Sequence, residues 1–179
     1  MEPIRQWWRQ PDHFDWLSAY LAARNLQRFT RLMMAAIVLL LAVAPVLMLG
    51  SPTGPQGPLT RTLSIAVAVV CAVMAVLWVA AWPSHRQSLA FVAVANACVA
   101  TVCLIQPTPS AGLHAATTFA AVAGYVAFFH SSRALLLSLL VAVSTAANVV
   151  AACRPALGVG WIRHTVATHA LATATNASD

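Results

Sequence analysis

The sequence predicts an all-α membrane protein: a polytopic bundle of five transmembrane helices, preceded by an interfacial amphipathic helix. The main observation is five successive apolar runs without Asp, Glu, Lys or Arg, at 32–50, 62–82, 87–106, 111–129 and 134–153. A hydrocarbon layer of about 30 Å requires about 20 helical residues, and each run has about that length. The second observation is that short, proline-containing segments connect the first four runs.

The amino-acid composition also indicates a membrane protein. The chain is 60% hydrophobic and 8% charged, whereas soluble domains carry about 25% charged residues. A surface with so few charges requires lipid around it, so the expected partner of 32–153 is the lipid bilayer. The net charge of +6 does not indicate nucleic acid, because half of the arginines precede the first span. Such a flank is typical of the side that faces anionic lipid.

Residues 1–31 are predicted to form a cytoplasmic lead that contains a short amphipathic helix. Its apolar side chains fall on one stripe at 100° per residue: Phe14, Leu17, Tyr20 and Leu21. The basic residues that continue the same arc are Arg24, Arg28 and Arg31. Such a helix suits the headgroup layer. The alternative is a solvated helix that packs on a partner domain.

The arginine distribution predicts orientation. Short connections make successive helices antiparallel neighbours. With the N-terminus in the cytoplasm, seven arginines lie inside (Arg5, Arg9, Arg24, Arg28, Arg31, Arg86 and Arg133) against Arg61 and Arg154 outside. This bias predicts a multi-pass protein of the inner (plasma) membrane with its N-terminus inside. We expect the first run to remain as an anchor, because Pro45 would follow the Ala-Val-Ala cleavage-like site.

The segment 154–179 is a weakly apolar tail. Residues 157–174 would make a sixth crossing only with Arg163 near the middle. A central arginine costs about 2.5 to 3.5 kcal/mol, and the branched apolar residues recover about 2 kcal/mol. The insertion free energy of this segment is therefore unfavourable, which favours an interfacial or frayed tail over a sixth crossing.

The spans offer little titratable chemistry. They hold no carboxylate and no arginine, and the acidic residues of the chain are Glu2, Asp12, Asp15 and Asp179. We therefore predict no catalytic, cofactor-binding or metal-binding residues, no cofactor, and no enzyme activity. Among the histidines, His85 and His130 are assigned to the same membrane face and are the pair expected to approach each other. His114 and His130 are too far apart along one helix to share a metal.

Two amides lie within the spans, Asn96 in the third and Asn148 in the fifth. Hydroxyl residues and a Gly-Tyr pair accompany them in the later spans: Thr101, Thr117, Thr118, Gly124, Tyr125, Ser144 and Thr145. Hydrogen bonds between helices stabilise a bundle by about 0.6 to 2 kcal/mol each, so the amides and the hydroxyl residues are predicted to hold the helices together. The alternative is a ligand pocket near the two amides. Gly124 and Tyr125 are compatible with this role and with the alternative. The four cysteines (Cys71, Cys98, Cys103 and Cys153) are expected to pack as small apolar groups.

The opening stretch Trp7-Trp8-Arg9-Gln10-Pro11-Asp12-His13-Phe14-Asp15-Trp16-Leu17, with an arginine-bearing helix and alanine- and valine-rich spans after it, carries a resemblance. It resembles the N-terminal membrane region of actinobacterial (mycobacterial-type) GGDEF proteins, which place a multi-span sensor ahead of a diguanylate cyclase domain. The resemblance covers about 1–155. No Gly-Gly-(Asp/Glu)-Glu-Phe motif occurs, so it implies either a truncated relative or a sensor-only protein.

These observations give two functional hypotheses. The first is a non-catalytic sensor or scaffold that responds to lipid, voltage or a small apolar ligand, or assembles with itself or with other membrane proteins. The second is a small transporter or permease subunit with an asparagine-lined path. A transporter should show a continuous polar cavity between its helices, whereas a sensor bundle can be dry.

Overall fold

The computed structural model describes residues 13–51 and 54–152, and all regular structure within those ranges is α-helical. The helices are α1 (Phe14–Ala23), α2 (Gln27–Leu49), α3 (Pro58–Ala80), α4 (His85–Leu104), α5 (Pro109–Ala116), α6 (Phe119–Phe129) and α7 (Ser132–Ala152). Helices α5 and α6 together make one span, so five segments are long and apolar enough to cross a membrane. The predicted all-α, five-span bundle is confirmed.

The helices begin before the charge-free runs because capping residues, and not the last charge, set their starts. Pro58 and Pro109 occupy the first turns of α3 and α5, where a missing N–H leaves no helical bond unmade. Ser84 caps α4: its Oγ accepts from the backbone N–H of Gln87, whose side chain accepts from the Ser84 N–H. The fourth predicted span is interrupted at residues 117–118, between α5 and α6.

Helices α1 and α2 are separate, which corrects the expectation that Arg24, Arg28 and Arg31 continue the arc of the apolar stripe along a single helix. Asn25 adopts a left-handed conformation with φ of 55°. The N–H groups of Asn25 and Leu26 donate to the carbonyls of Ala22 and Leu21 at 3.1 and 2.9 Å. This pattern is a Schellman motif, and Asn tolerates its left-handed position. The chain therefore changes direction before the first span.

The core consists of two buried clusters. One joins α2, α3 and α4 through apolar side chains: Ala35, Val38, Ala42, Val67, Cys71, Met74, Ala75, Trp78 and Cys98. The other joins α4, α5–α6 and α7 around Val92, Val99, Phe119, Val122, Val126 and Val149. Large apolar residues such as Leu40 and Leu47, each 69% exposed, cover the outside of the bundle. Such side chains suit contact with lipid.

The bundle has two distinguishable ends. Helix α1, the start of α2, the end of α3, the start of α4 and the end of α6 lie at one end, hereafter the α1 end. The end of α4 and the starts of α3 and α5 lie at the far end. Two sequence predictions fall outside the described residues: the packing of Cys153 and the choice between a tail and a sixth crossing at 157–174.

Candidate functional site

Six rings meet at the α1 end and form what we call the aromatic cap: Phe14, Trp82, His85, Tyr125, Phe129 and His130. They come from α1, α4, α6 and the chain segments next to α3 and α6. Phe14, the first residue of α1, is 3% exposed. Its ring is parallel to that of His130 (centroids 5.7 Å apart, planes 9° apart) and meets the edge of His85 at 5.6 Å. The cap therefore attaches α1 to the bundle.

Two rings of the cap also take part in a hydrogen-bonded group with a serine of α4. Ser88 of α4 is fully buried, and its Oγ lies 2.5 Å from the Tyr125 hydroxyl and 2.8 Å from Nε2 of His130. A serine–histidine bond of this length also occurs between nucleophile and base in hydrolases. Here the Ser88 hydroxyl is covered, and within the described ranges the carboxylates are limited to exposed Asp15. The group acts as a polar joint between α4 and α6.

Two further contacts hold the α1 end together. The indole Nε1 of Trp82 donates to Oγ of Ser18 in α1 at 3.1 Å. The Arg31 guanidinium donates through Nε to the Trp78 carbonyl at 3.2 Å, and through Nη2 to the Val79 carbonyl. Both carbonyls belong to the last turn of α3, where orphan acceptors and the helix dipole favour a cation. These hydrogen bonds of Arg31 therefore hold the start of α2 against the end of α3.

The predicted approach of His85 and His130 is confirmed, because their ring centroids are 5.7 Å apart. In the ranges 13–51 and 54–152 no group of three His, Cys, Asp or Glu side chains lies close enough to hold a metal ion. The contacts of both rings with Phe14 assign them to packing in the cap.

A cavity of about 250 Å³ lies between α2, α3, α4 and α5, in the half of the bundle toward the far end. Its lining is mainly apolar, and four alanines contribute to it: Ala44, Ala95, Ala111 and Ala115. Polar side chains of Gln106, His114 and Thr118 also line it, as do the thiols of Cys71 and Cys98. We call this space the bundle cavity. Cys71, Cys98 and Cys103 are buried and free, as the packing interpretation of these three requires.

The two span amides are not brought together. Asn96 is 6% exposed, and its Nδ2 donates to Oγ of Ser138 in α7 at 3.0 Å and to the Val92 carbonyl at 2.9 Å. Asn148 is exposed, and within the described part of the chain its amide donates along its own helix, to the Ser144 carbonyl. Asn96 therefore joins two helices as predicted, whereas Asn148 does not. Neither amide lines the bundle cavity, and the alternative of a ligand pocket near the two amides stays a prediction.

Sequence reasoning did not identify Ser88 or the bundle cavity. Ser88 is an ordinary residue near a helix start, and its importance follows from the closeness of His130, 42 positions later. The cavity arises from alanines on four helices, and composition alone cannot place alanines opposite each other. Phe14 was recognised as part of an apolar stripe, but the stripe is not buried as a unit, because Tyr20 is 44% exposed.

Comparisons of the chain with protein-family models, curated proteins and solved structures gave no match. The resemblance to the membrane region of GGDEF proteins therefore stays a prediction from the opening motif.

Proposed function

We propose that the protein is a non-catalytic membrane sensor or scaffold module, in which the state of the bundle cavity alters the attachment of α1. The observation that carries the proposal is a continuous chain of contacts between the two. Met74 of α3 lines the cavity, and Trp78 lies one turn further along the same helix. Trp78 is 2% exposed and meets the rings of Trp82 and Tyr125 edge-on, each at 5.9 Å. Both rings belong to the aromatic cap.

Physical coupling requires an element that has two arrangements. Helix α1 suits this role because its buried attachment depends mainly on Phe14, while Trp16 on the same helix is 67% exposed. A small displacement of Trp78 would shift the rings against which Phe14 packs. Helix α1 would then present Trp16 and its C-cap residue Arg24 differently to lipid or to another membrane protein.

Filling the cavity tests this coupling without knowledge of the ligand. Val102→Phe adds a ring at the cavity wall, and Leu104→Phe adds one on the exposed side of the same helix, where Leu104 is 57% exposed. Hydrogen exchange of residues 14–23 would be measured on the full chain in lipid nanodiscs. We expect Val102→Phe to change α1 exchange by at least about threefold and Leu104→Phe to leave it unchanged. Ala115→Leu repeats the test from α5, and unchanged exchange in both cavity variants would contradict the proposal.

The alternative, a small transporter subunit, predicts solute movement. The mainly apolar lining of the bundle cavity favours sensing, since a transport path needs polar groups along its length. Proteoliposomes tested with amino acids, sugars and monovalent cations separate the two. Flux that is lost in Asn96→Ala would establish transport. Membrane insertion without flux supports the sensor.

The proposal also assigns the α1 end to the cytoplasmic side of the plasma membrane. The arginine bias supports this orientation. A tag at the N-terminus of intact cells should be protected from external protease. If Arg24, Arg28 and Arg31 set the orientation, replacing all three with Glu should expose the tag. A tag that stays protected would assign orientation to other features.

A further inference from the structure

The bundle cavity continues into a narrower space toward the α1 end. This second space has a volume of about 50 Å³ and is lined in part by Trp78 and Tyr125. The two spaces adjoin, because they share four lining residues: Val38, Leu41, Met74 and Ala95. Together they form one apolar cleft, which we call the long cleft.

The long cleft follows the helices for much of the membrane thickness. Along α2 it extends from Met48, in the last turn, to Met34. At about 1.5 Å per residue, this stretch of helix is about 21 Å long. The acyl chains of one leaflet fill half of a hydrocarbon core of about 30 Å, which is about 15 Å. The long cleft is therefore long enough to take a whole acyl chain.

The volume of the cleft limits what can enter it. An apolar cavity of about 150 Å³ binds benzene. By that comparison, the bundle cavity of about 250 Å³ holds about ten carbon atoms, and the narrower space holds about two more. This is the size of one acyl chain and not of two.

The long cleft opens sideways between α2 and α5–α6. Buried residues of α3 and α4, such as Met74 and Val99, form its floor. Both walls carry exposed lining residues: Ile37, Ala44 and Met48 on α2, and His114 and Ala121 on α5–α6. All of these residues belong to segments that are long and apolar enough to span a membrane. The opening therefore faces the acyl chains of the surrounding lipid.

The shape of the cleft indicates which way a chain would enter. The wider part lies toward the far end, where Ala44, Met48 and His114 leave the mouth exposed. The narrower part ends against Trp78, which is 2% exposed. A charged head group inside the cleft would lose its hydration without compensation. The head group therefore belongs outside, at the far end.

We propose that the long cleft binds one acyl chain of a phospholipid from the leaflet at the far end, with the chain terminus near Trp78. A transmembrane helix of a partner would fill the cleft only with separate side chains, whereas an acyl chain is one continuous apolar body of the required length and volume. The inference rests on the proposed function, because it names the class of ligand that occupies the cavity of the sensor.

Photolabelling tests the assignment on the full chain in phosphatidylcholine nanodiscs. Two phosphatidylcholine probes are compared, one with an aliphatic diazirine next to the ester of an acyl chain and one with the diazirine at the end of that chain. Labelled residues are located by mass spectrometry. The first probe should label Met48 and Val102, and the second should label Leu41 and Phe91. Labelling of Leu40 and Leu47, on the lipid-facing surface, provides the internal reference.

Two pairs of variants sharpen the result. Ala44→Phe places a ring at the mouth and should reduce the labelling of Leu41 and Phe91 at least about fivefold relative to Leu40. Val46→Phe, at an exposed position of α2 outside the cleft, should leave it unchanged.

Val102→Phe and Leu104→Phe repeat the comparison from α4. Labelling confined to Leu40 and Leu47 would overturn the inference and assign the cleft to a partner helix or to closed packing. The reverse order of labelling by the two probes would overturn the assignment to the leaflet at the far end.

The failure of this inference differs from the failure of the proposed function. If Val102→Phe alters α1 exchange but neither lipid probe labels the cleft, the coupling stands and the ligand class is wrong. If the probes label the cleft and Ala44→Phe prevents it, but α1 exchange stays the same in the cavity variants, the binding site stands and the sensor function is wrong.

Discussion

The ring of Phe14 lies parallel to the imidazole of His130, with 5.7 Å between their centroids. One ring belongs to the helix that precedes the first span, and the other follows the last turn of α6. The imidazole is also held by Ser88 through Nε2. Phe14 of α1 therefore packs on a residue of the hydrogen-bonded joint between two spans.

Phe14→Ala should release α1 from the bundle. Truncating a buried phenylalanine costs about 3 kcal/mol or more, and the loss falls mainly on local opening of α1. We expect the exchange of residues 14–23 to rise about a hundredfold, with the spans unaffected. Trp16→Ala, at an exposed position of the same helix, is the matched control. Equal effects of the two substitutions would show that Phe14 is not the anchor.

Arg31→Ala should loosen the end of α3. Its guanidinium donates to the carbonyls of Trp78 and Val79, and hydrogen bonds to a charged group contribute about 1.5 to 3 kcal/mol. We expect the free energy of unfolding in mild detergent to fall by about 2 kcal/mol. Arg28→Ala changes an exposed arginine one turn earlier and should be nearly neutral. A comparable loss in Arg28→Ala would indicate a general charge effect.

Asn96 and Ser138 should show coupled stability effects, because the asparagine amide donates to the serine hydroxyl between α4 and α7. A double-mutant cycle with Asn96→Ala and Ser138→Ala should give a coupling of about 0.6 to 2 kcal/mol in the free energy of unfolding. Asn148→Ala, on the exposed side of α7, should show no coupling with Ser138→Ala. Additive effects of Asn96→Ala and Ser138→Ala would mean that this bond does not hold the helices together.

The number and approximate positions of the spans could be predicted because hydrophobic length is a local property. The run at 87–106 and helix His85–Leu104 nearly coincide for that reason. The break at 117–118 was not predicted, since threonine is common in transmembrane helices and no Gly or Pro marks the place. The turn at Asn25 was also missed, because its left-handed conformation shows in the hydrogen bonds of the folded chain.

Of the candidate sites, only pairs that share a membrane face could be predicted. His85 and His130 were expected to meet because each lies next to a short connection on the same side. Asn96 and Asn148 lie on different helices, and sequence gives no rotation of one helix relative to another. Asn148 faces outward as a result. The bundle cavity depends on such rotations at four helices at once, so no local pattern indicates it.

The two glycines of the fourth span should respond to alanine in opposite directions. A Cβ at Gly112 would lie 2.8 Å from the Cys103 carbonyl oxygen and 3.1 Å from Cγ1 of Val149, so backbone must move. Overpacking of this kind costs about 1 to 3 kcal/mol. A Cβ at Gly124 meets no atom within 4 Å, and alanine favours a helix over glycine by about 1 kcal/mol. In mild detergent, Gly112→Ala should therefore lower the thermal midpoint and Gly124→Ala should raise it. A rise in both would place α5 further from α4 and α7 than the structure does.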